Sequence, residues 1–488
     1  MDAIVSRADG AAEEGHAGEG GPSQPGLGKP ASLSRGGVSW SLFEGGRTPY
    51  VILVMIYVFV PYVAMTIIGD PVRGQETISR WSQYAGWFVM LTAPIIGASI
   101  DQIGRRKAAL ALIVAAAVAM MASLWWARAD GTGLSITVIM LLLTAISVLL
   151  TYSEVLHNSL LVRAAGRQGA HLASGLGLAL GAAFAVMVLA FNAWAFVLPG
   201  RVDWAFVPTA PLFGLSQVQH EPERIVGPMA AAIFAIAAVP FFLFSPDARP
   251  TGTPVLRGVG VGVVNLWRLL GSMRGHRDAA IFLASRMFFY DGMTAIVVFM
   301  GVYASGVMHW GALEMLLYGV LMTLFAVIGG FLARWLDARL GPKRALQIEV
   351  SVTLLGLVAQ LGMASDRILF FWTVHDPSRW IVWNGPVFRS LPEWIFILAG
   401  LLNATFVTAH YASSRTLLTR LTPPDRTGAF FGIYALSGAA TSWLAPTLVN
   451  RGTQVFHSQQ GGFATLTVLL ALGLAGLAFI RTDQADGV

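Results

Sequence analysis

The amino-acid sequence predicts an all-α membrane protein with twelve transmembrane helices arranged as two parallel six-helix halves. Hydrophobic residues make up 55% of its 488 positions and charged residues only 12%, about half the charged share of an average soluble domain. Apolar stretches long enough to cross a bilayer follow one another along the chain. The second half of the chain also repeats features of the first half.

The apolar stretches give the expected order of the helices. A hydrocarbon layer of about 30 Å needs about twenty apolar residues in a helix. Stretches of this kind occur at 49–69, 82–100, 108–127, 134–162, 172–196, 227–245, 279–305, 311–333, 345–364, 394–414, 428–449 and 462–480. The expected organisation is a disordered cytoplasmic tail at 1–45, an N-terminal six-helix half at 46–245, a cytoplasmic linker at 246–278, a C-terminal six-helix half at 279–481 and a short cytoplasmic tail at 482–488.

Basic residues predict the orientation of these spans. The loops after spans 2, 4, 6, 8 and 10 contain 17 Lys and Arg residues, against 9 in the loops on the opposite side. Because cytoplasmic loops are enriched in basic residues, both termini are predicted to be cytoplasmic, and in a bacterium the membrane would be the cytoplasmic (inner) membrane. The net charge of +6 lies in short clusters between apolar runs, which argues against nucleic acid as a partner.

An internal repeat supports the two halves. LLVRAAGRQGAHLASGLGLALGAA at 160–183 matches LLTRLTPPDRTGAFFGIYALSGAA at 417–440 with a constant offset of 257 residues. A second pair, IDQIGRRK and LDARLGPKR, has an offset of 237 residues, and the longer loop between spans 9 and 10 accounts for the difference. Chance similarity of Ala- and Gly-rich helices is the alternative. Both repeats fall in predicted cytoplasmic loops, so the two halves have the same orientation in the membrane.

The loop GASIDQIGRRK between spans 2 and 3 is the first functional candidate. Its candidate gating residues are Gly97, Asp101, Gly104, Arg105, Arg106 and Lys107. The loop resembles the signature loop of the major facilitator superfamily, in which the aspartate and the basic residues form a latch of the inner gate. The resemblance implies a gating role, whereas a loop held in the cytoplasm by its charge is the alternative. The second copy has Ala338 at the corresponding place, so a symmetric second latch is not expected.

Three further stretches resemble the vacuole effluxer family, a branch of that superfamily which includes fungal vacuolar amino-acid exporters. They are SWSLFEGGRTPYVILVMIYVFVPY, FLASRMFFYDGMTAI and SRTLLTRLTPPDRTGAFFGIYALSGAATSWLAP. The resemblance extends from Trp40 to about Pro446, with departures at Phe43, Glu44 and Tyr411. It implies a secondary transporter that moves a small solute by alternating access, with amino acids or related metabolites as the first candidates.

Charged residues inside the spans are candidates for the transport site, because a charge in the bilayer is costly and usually faces a cavity or a partner. Asp291 lies roughly 18 Å into span 7, near the midplane, and is the first candidate for a proton or substrate site. Arg286 and Tyr290 lie close to it in the sequence. A structural ion pair, for example between Asp291 and Arg286, is the alternative. Glu314 and Glu349 fall near the interfaces and are expected to be solvated.

A second group of candidates lies near the predicted cytoplasmic ends of spans 4 and 10. It consists of Glu154, His157 and Asn158 in span 4, and of His410 and Arg415 in span 10. The three span 4 residues share a helix face by their spacing, and the repeat places the two groups opposite each other. They are expected to line the inner vestibule, with a solvated helix end as the alternative.

Other classes of protein fit the sequence less well. An ATP-driven pump would need a GxxxxGK[ST] loop, and a metalloenzyme would need a motif such as HExxH; the sequence contains neither. No cofactor or metal is predicted, and without cysteine there is no disulfide or thiolate site. The predicted partners are a small-molecule substrate, a proton or sodium ion and the lipid bilayer, with the protein as a monomer. A transport-inactive receptor or assembly factor on the same fold is the alternative function.

Overall fold

A computed structural model describes residues 33–103, 106–248, 264, 271, 275–373, 380–423 and 427–481. Its main helices are α1 (Arg35–Ile67), α2 (Pro71–Ile103), α3 (Arg106–Trp126), α4 (Ile136–Asn158), α5 (Leu161–Asn192), α6 (Val226–Phe244), α7 (Arg277–Val307), α8 (Ala312–Leu340), α9 (Pro342–Leu361), α10 (Leu391–Leu421), α11 (Thr427–Thr441), α12 (Leu444–Phe456) and α13 (Gln459–Ala478). Shorter elements are a π-helical turn at Ala193–Val197, a 3-10 turn at Leu212–Gly214, a helix at Glu221–Arg224 and an antiparallel hairpin of β1 (Arg367–Ile368) and β2 (Trp372–Thr373).

The predicted all-α membrane architecture is confirmed. Within the described residues, ten helices are long and apolar enough to cross a membrane. The other two predicted spans coincide with α2 and with the consecutive helices α11 and α12. Their crossing of the membrane, and hence the count of twelve, stays a prediction.

The first helix begins earlier than the sequence pattern indicates. It starts at Arg35, inside the range 1–45 that was expected to be a tail. Ser34 caps it by accepting a hydrogen bond from the Gly37 amide at 3.0 Å, and its own hydroxyl donates to Ala164 O at 2.7 Å. Gly36 allows this close approach to α5, because a Cβ there would lie 2.5 Å from Ala164 O. Most residues of the stretch Arg35–Pro49 are buried against other helices, so the helix needs no continuous apolar run there. Residues 1–32, residues 482–488 and most of 246–278 lie outside the described part of the chain.

The two halves pack their helices in the same way. In α1–α6, the first helix packs on the sixth, the second on the fourth, and the third on the fourth and sixth. In the second half, α7 packs on α13, α8 on α10, and α9 on α10 and α13, which are the equivalent pairs. The halves meet through α2 with α11 and α12 and through α5 with α8, again an equivalent pair of contacts. This packing is what two parallel copies of a six-helix unit produce.

The contacts between the halves are concentrated toward one end of the bundle, here called the outer end. The opposite end, which carries the start of α1 and the loop after α2, is called the inner end. Gln75 of α2 donates to Thr453 Oγ1 at 2.8 Å and to Gln459 O at 3.0 Å, and Gln454 donates to Glu76 Oε1 at 3.0 Å. In the described part of the chain, hydrogen bonds between the halves join α2 to α12, to Ser442 between α11 and α12, and to the start of α13. The outer end is therefore closed.

A main-chain contact reinforces this closure. A Cβ added to Gly301 of α7 would lie only 1.5 Å from Ile56 O of α1, so the two helices touch through their backbones. Nearby, the rings of Tyr57 and Tyr318 meet edge to face with centroids 5.9 Å apart. Only glycine permits so short a distance between helices, and Gly301 is therefore a point at which the halves are held together.

The expectation that Glu349 is solvated is wrong. Its side chain is fully buried, and its Oε1 accepts a hydrogen bond from the Ser413 hydroxyl at 2.8 Å. The residue lies about two turns into α9 and faces α10, so its distance from the helix end did not decide its environment. Glu314 instead lies in the first turn of α8, where its Oε2 accepts from the Gly311 amide at 3.1 Å.

Candidate functional site

A cavity of about 860 Å³ lies between the two halves. The first half contributes residues of α1, α2 and α4 to its wall, and the second half contributes residues of α7, α10, α11 and α12. Most of the lining is apolar. Its charged residues are Glu154, Arg286, Asp291 and Arg415. At the inner end Glu154, Asn158 and Arg415 are exposed, so the cavity opens there, while the contacts of Gln75 and Gly301 close the outer end.

The structure brings most of the predicted site residues together in this cavity. Those that line it are Asp291, Arg286, Tyr290, Glu154, Asn158 and Arg415. His157 and His410 do not line it and are fully buried in the protein. The predicted shared face of α4 therefore holds for Glu154 and Asn158, while His157 points toward α1.

Asp291 is almost completely buried, with 5% of its surface exposed. Its Oδ2 accepts a hydrogen bond from the Ala445 amide at 2.7 Å. Ala445 lies in the first turn of α12. Ser442 and Trp443, which separate α11 from α12, interrupt the helix just before it. The free amides and the dipole of a helix N-terminus stabilise a carboxylate in this position. Asp291 is therefore held by backbone, and no Lys, Arg or His of the described residues forms an ion pair with it.

Arg286 has a different environment from its neighbour in the sequence. Its Nη1 donates to Tyr434 O at 2.9 Å and to Ser437 Oγ at 2.6 Å, which ties α7 to α11. The guanidinium lies over the rings of Tyr290 and Tyr434, at 4.2 and 3.6 Å from their centroids. Such cation–π contacts are worth about 0.5–2 kcal/mol each. The structure does not contain the Asp291–Arg286 ion pair that was the structural alternative.

Beside the cavity lies an ionic network that joins α1 to α4. Arg47 donates to Glu44 Oε1 at 2.6 Å and to Glu154 Oε2 at 3.0 Å. His157 Nδ1 lies 3.5 Å from Glu44 Oε2, and the imidazole stacks between the rings of Trp40 and Phe43 at 4.3 Å from each. One guanidinium, that of Arg47, therefore contacts two carboxylates, and one of them, Glu154, lies at the cavity mouth.

Removal of Arg47 is expected to destabilise the protein. Arg47→Gln leaves Glu44, whose side chain is only 17% exposed, without its cation, and breaking a buried ion pair in this way costs about 3–5 kcal/mol. Thermal unfolding in detergent measures the change. Glu154→Gln is the matched control, since Glu154 is 54% exposed and its loss should cost far less. Equal losses in the two variants would contradict the assignment of Arg47 as the centre of the network.

His410 lies behind the cavity wall. It is fully buried, its ring packs on that of Tyr411 at 4.1 Å, and it lies 6.3 Å from the ring of Tyr290. Its Nδ1 contacts Val407 O. The residue is thus placed to support Tyr290, not to contact a solute directly.

Two of the candidate gating residues can be placed. The Lys107 ammonium donates to Phe242 O and Ser245 O, each at 2.7 Å, and the Arg106 amide donates to Asp247 Oδ1 at 2.9 Å. These contacts fix the start of α3 to the end of α6 within one half. Gly104 and Arg105 lie outside the described residues. Gly97 and Asp101 belong to α2, but their surroundings are not described. The gating role of the loop stays a prediction.

Several residues of the site were not singled out from the sequence. Glu44 and Arg47 lie in the stretch assigned partly to the tail, although their i, i+3 spacing is a recognisable ion-pair signal. Ser437 contacts Arg286 from α11, and a contact of this kind has no local signature. Among the described residues, no group of three or more His, Asp or Glu side chains is placed to hold a metal ion.

Comparisons with known proteins agree with this architecture. The family model described as vacuole effluxer Atg22 like matches residues 85–487. An uncharacterized MFS-type transporter, YxiO of Bacillus subtilis, is 22% identical over 92% of this chain and 96% of its own length. Autophagy-related protein 22 of Cryptococcus neoformans is 26% identical over 42% of this chain and 34% of its own length.

Solved structures show the same fold. The nucleoside transporter NupG superposes with a TM-score of 0.57 at 12% identity, covering 91% of this chain and 98% of its own. The xylose transporter XylE from E. coli, in an inward-open conformation, gives a TM-score of 0.56 at 12% identity, covering 91% of this chain and 94% of its own. With the family model matching most of the sequence, the chain belongs to the Atg22-like vacuole effluxer family and has the major facilitator fold.

Proposed function

We propose that this protein is a secondary active transporter that moves a small solute across the membrane by alternating access, coupled to an ion. The observation that carries the proposal is the cavity of about 860 Å³ between the halves, open at one end and closed at the other. Its size lies within the usual range for sites that bind small molecules. We place the open, inner end in the cytoplasm, as the distribution of basic residues predicts.

Asp291 is the proposed coupling residue. It lines the cavity, is only 5% exposed and has no cationic partner among the described residues. Carboxylates kept inside a membrane protein without a permanent counter-ion are the groups that proton relays use. The amide of Ala445 can hold the side chain in place in either protonation state, so binding and release of a cation need not dismantle the site.

The solutes proposed for the first tests are amino acids and related metabolites. This follows from the resemblance to the fungal relatives and from the mixed lining of the cavity, which combines apolar walls with both signs of charge. The alternative is a transport-inactive receptor or assembly factor. A receptor needs no path across the membrane. The cavity here lies between two equivalent halves that contact each other at one end, which is the arrangement that alternating access requires.

Filling the cavity is expected to abolish transport. The experiment is a screen of solute uptake in proteoliposomes under imposed pH and sodium gradients, with the wild type and Thr144→Trp compared. Thr144 lines the cavity from α4, and an indole there occupies the solute's space. Leu141→Trp is the matched control, because Leu141 lies on the same helix, is 51% exposed and does not line the cavity.

The expected result is gradient-stimulated uptake in the wild type and in Leu141→Trp, and its loss in Thr144→Trp. Solute binding without flux in wild-type vesicles would contradict the transporter assignment and favour the receptor. Flux that persists in Thr144→Trp would show that this cavity is not the passage.

A further inference from the structure

We propose that Arg286 is the binding site for the anionic group of the transported solute, so that the solute class is a small organic carboxylate. The inference rests on the proposed transport function and adds the chemical class of the substrate and the residue that recognises it. It follows from the partners that the charged residues of the cavity have, and from those that Arg286 lacks among the described residues.

The four charged residues of the cavity differ in the partners that they contact. Glu154 is bound by Arg47 at 3.0 Å. Asp291 is capped by the Ala445 amide at the N-terminus of α12. The remaining two, Arg286 and Arg415, have no carboxylate within ion-pair distance in the described part of the chain. Neither arginine of the cavity therefore has a direct ionic partner among the described residues.

Of these two cations, only Arg286 is withdrawn from solvent. It is 4% exposed, whereas Arg415 is exposed at the cavity mouth. Burial of an arginine without an anion is costly, and such residues in membrane proteins face a partner or a substrate pathway. Its Nε is buried and has no hydrogen-bond partner. A carboxylate would supply both the missing charge and the missing acceptor.

The surroundings of Arg286 form a pre-organised binding site. The guanidinium lies over the rings of Tyr290 and Tyr434, and the Ser437 hydroxyl accepts a hydrogen bond from its Nη1. Gly438 leaves room for this stack, because a Cβ there would lie 2.9 Å from Tyr290 Cε1 and 3.5 Å from Arg286 Nη1. The head group is fixed before any solute arrives, which lowers the entropy that binding must offset.

A purely structural role is the competing explanation, since Arg286 also ties α7 to α11. The two explanations differ in what they predict for ligands. A structural arginine is indifferent to the charge of the solute, whereas a binding arginine distinguishes a carboxylate from its neutral amide.

The test measures binding without transport. Purified full-length protein in detergent is screened by thermal shift against the twenty protein amino acids and a set of small mono- and dicarboxylates, each paired with its carboxamide. Those that stabilise the wild type are then titrated against Arg286→Gln, Arg286→Lys and Arg451→Gln. Arg451 is an exposed residue of α12 outside the cavity and serves as the control for loss of one positive charge.

The expected result is that one or more carboxylates stabilise the wild type and Arg451→Gln while the amides do not. Arg286→Gln should weaken carboxylate binding at least about tenfold, the minimum for loss of a hydrogen bond to a charged group, and Arg286→Lys should weaken it less. If Arg286→Gln does not fold, the comparison of acids with amides in the wild type decides.

Equal stabilisation by acid and amide would overturn the proposal, as would unchanged carboxylate affinity in a folded Arg286→Gln variant or the absence of any stabilising carboxylate. Uptake of a neutral solute in the vesicle screen would leave the transport function standing and remove this inference. Carboxylate binding that depends on Arg286 in a protein without flux would support Arg286 as the binding residue and would contradict the proposed transport function.

Discussion

Asp291→Asn is expected to abolish solute accumulation driven by an ion gradient while leaving solute exchange across the membrane in place. The amide cannot take up and release a proton, but it has nearly the shape of the carboxyl group. Exchange of labelled for unlabelled solute requires only the movement of the loaded carrier, so it should persist. The measurements are gradient-driven uptake and counterflow in the same proteoliposomes.

The structure also predicts that Asp291→Asn remains folded. The oxygen of Asn can still accept the Ala445 amide, and only the interaction of a charge with the helix N-terminus is lost, worth about 0.3–2 kcal/mol. Because Arg286 is not paired with Asp291, the double variant Arg286→Gln/Asp291→Asn should be no more stable than Asp291→Asn alone. Restored stability in the double variant, with flux following stability throughout, would show that Asp291 has a structural role and would remove it as the coupling residue.

Gly301→Val is expected to impair closure of the outer end and to slow transport severely. The new Cβ would overlap Ile56 O, so α1 and α7 must separate there. Overpacking of this kind costs about 1–3 kcal/mol, and about 1.4 kcal/mol already changes the ratio of two conformations tenfold. The ratio of molecules with a closed outer end to those with an open one should therefore fall by about fivefold to a hundredfold.

Cysteine labelling measures this shift directly, because the natural chain contains no cysteine. A Thr144→Cys reporter in the cavity is treated with a membrane-impermeant thiol reagent from either side of the membrane. Labelling from the side of the outer end should rise in Gly301→Val but not in the control Gly330→Val, since a Cβ at Gly330 meets open space. Unchanged labelling would show that the contact does not control the outer end. Labelling of the Thr144→Cys reporter with native Gly301 only from outside the cell would overturn the predicted orientation.

The sequence predicted the helices and the charged residues of the cavity for a simple physical reason. Charged groups in apolar spans stand out, and those in a transporter converge on the space between the halves. This reasoning placed Asp291, Arg286 and Glu154 among the candidates, and the structure brings all three to one cavity. It depends only on composition along the chain, which the sequence shows directly.

The partners of these residues could not be obtained in the same way. Asp291 accepts a hydrogen bond from a backbone amide of α12. Every residue type except proline has such an amide, so no sequence motif indicates this partner. His157 shares its helix face with Glu154 by spacing alone, yet it inserts between Trp40 and Phe43 of a helix whose first turns were assigned to a tail. Glu349 was placed in water by its distance from the helix end, but the neighbouring helix determines its burial.

The position of the backbone contact at Gly301 along α7 determines how far different parts of this helix move when the halves rotate about it. From Gly301 to the inner end of α7 at Arg277 the helix is about 36 Å long, and from Gly301 to Asp291 it is about 15 Å. If the halves rock about this contact by about 15°, a rotation of the size seen between protein subunits, the inner end moves by about 9 Å and Asp291 by only about 4 Å. The mouth at the inner end can thus widen or narrow by the width of a small solute, while Asp291 moves by less than half of that distance.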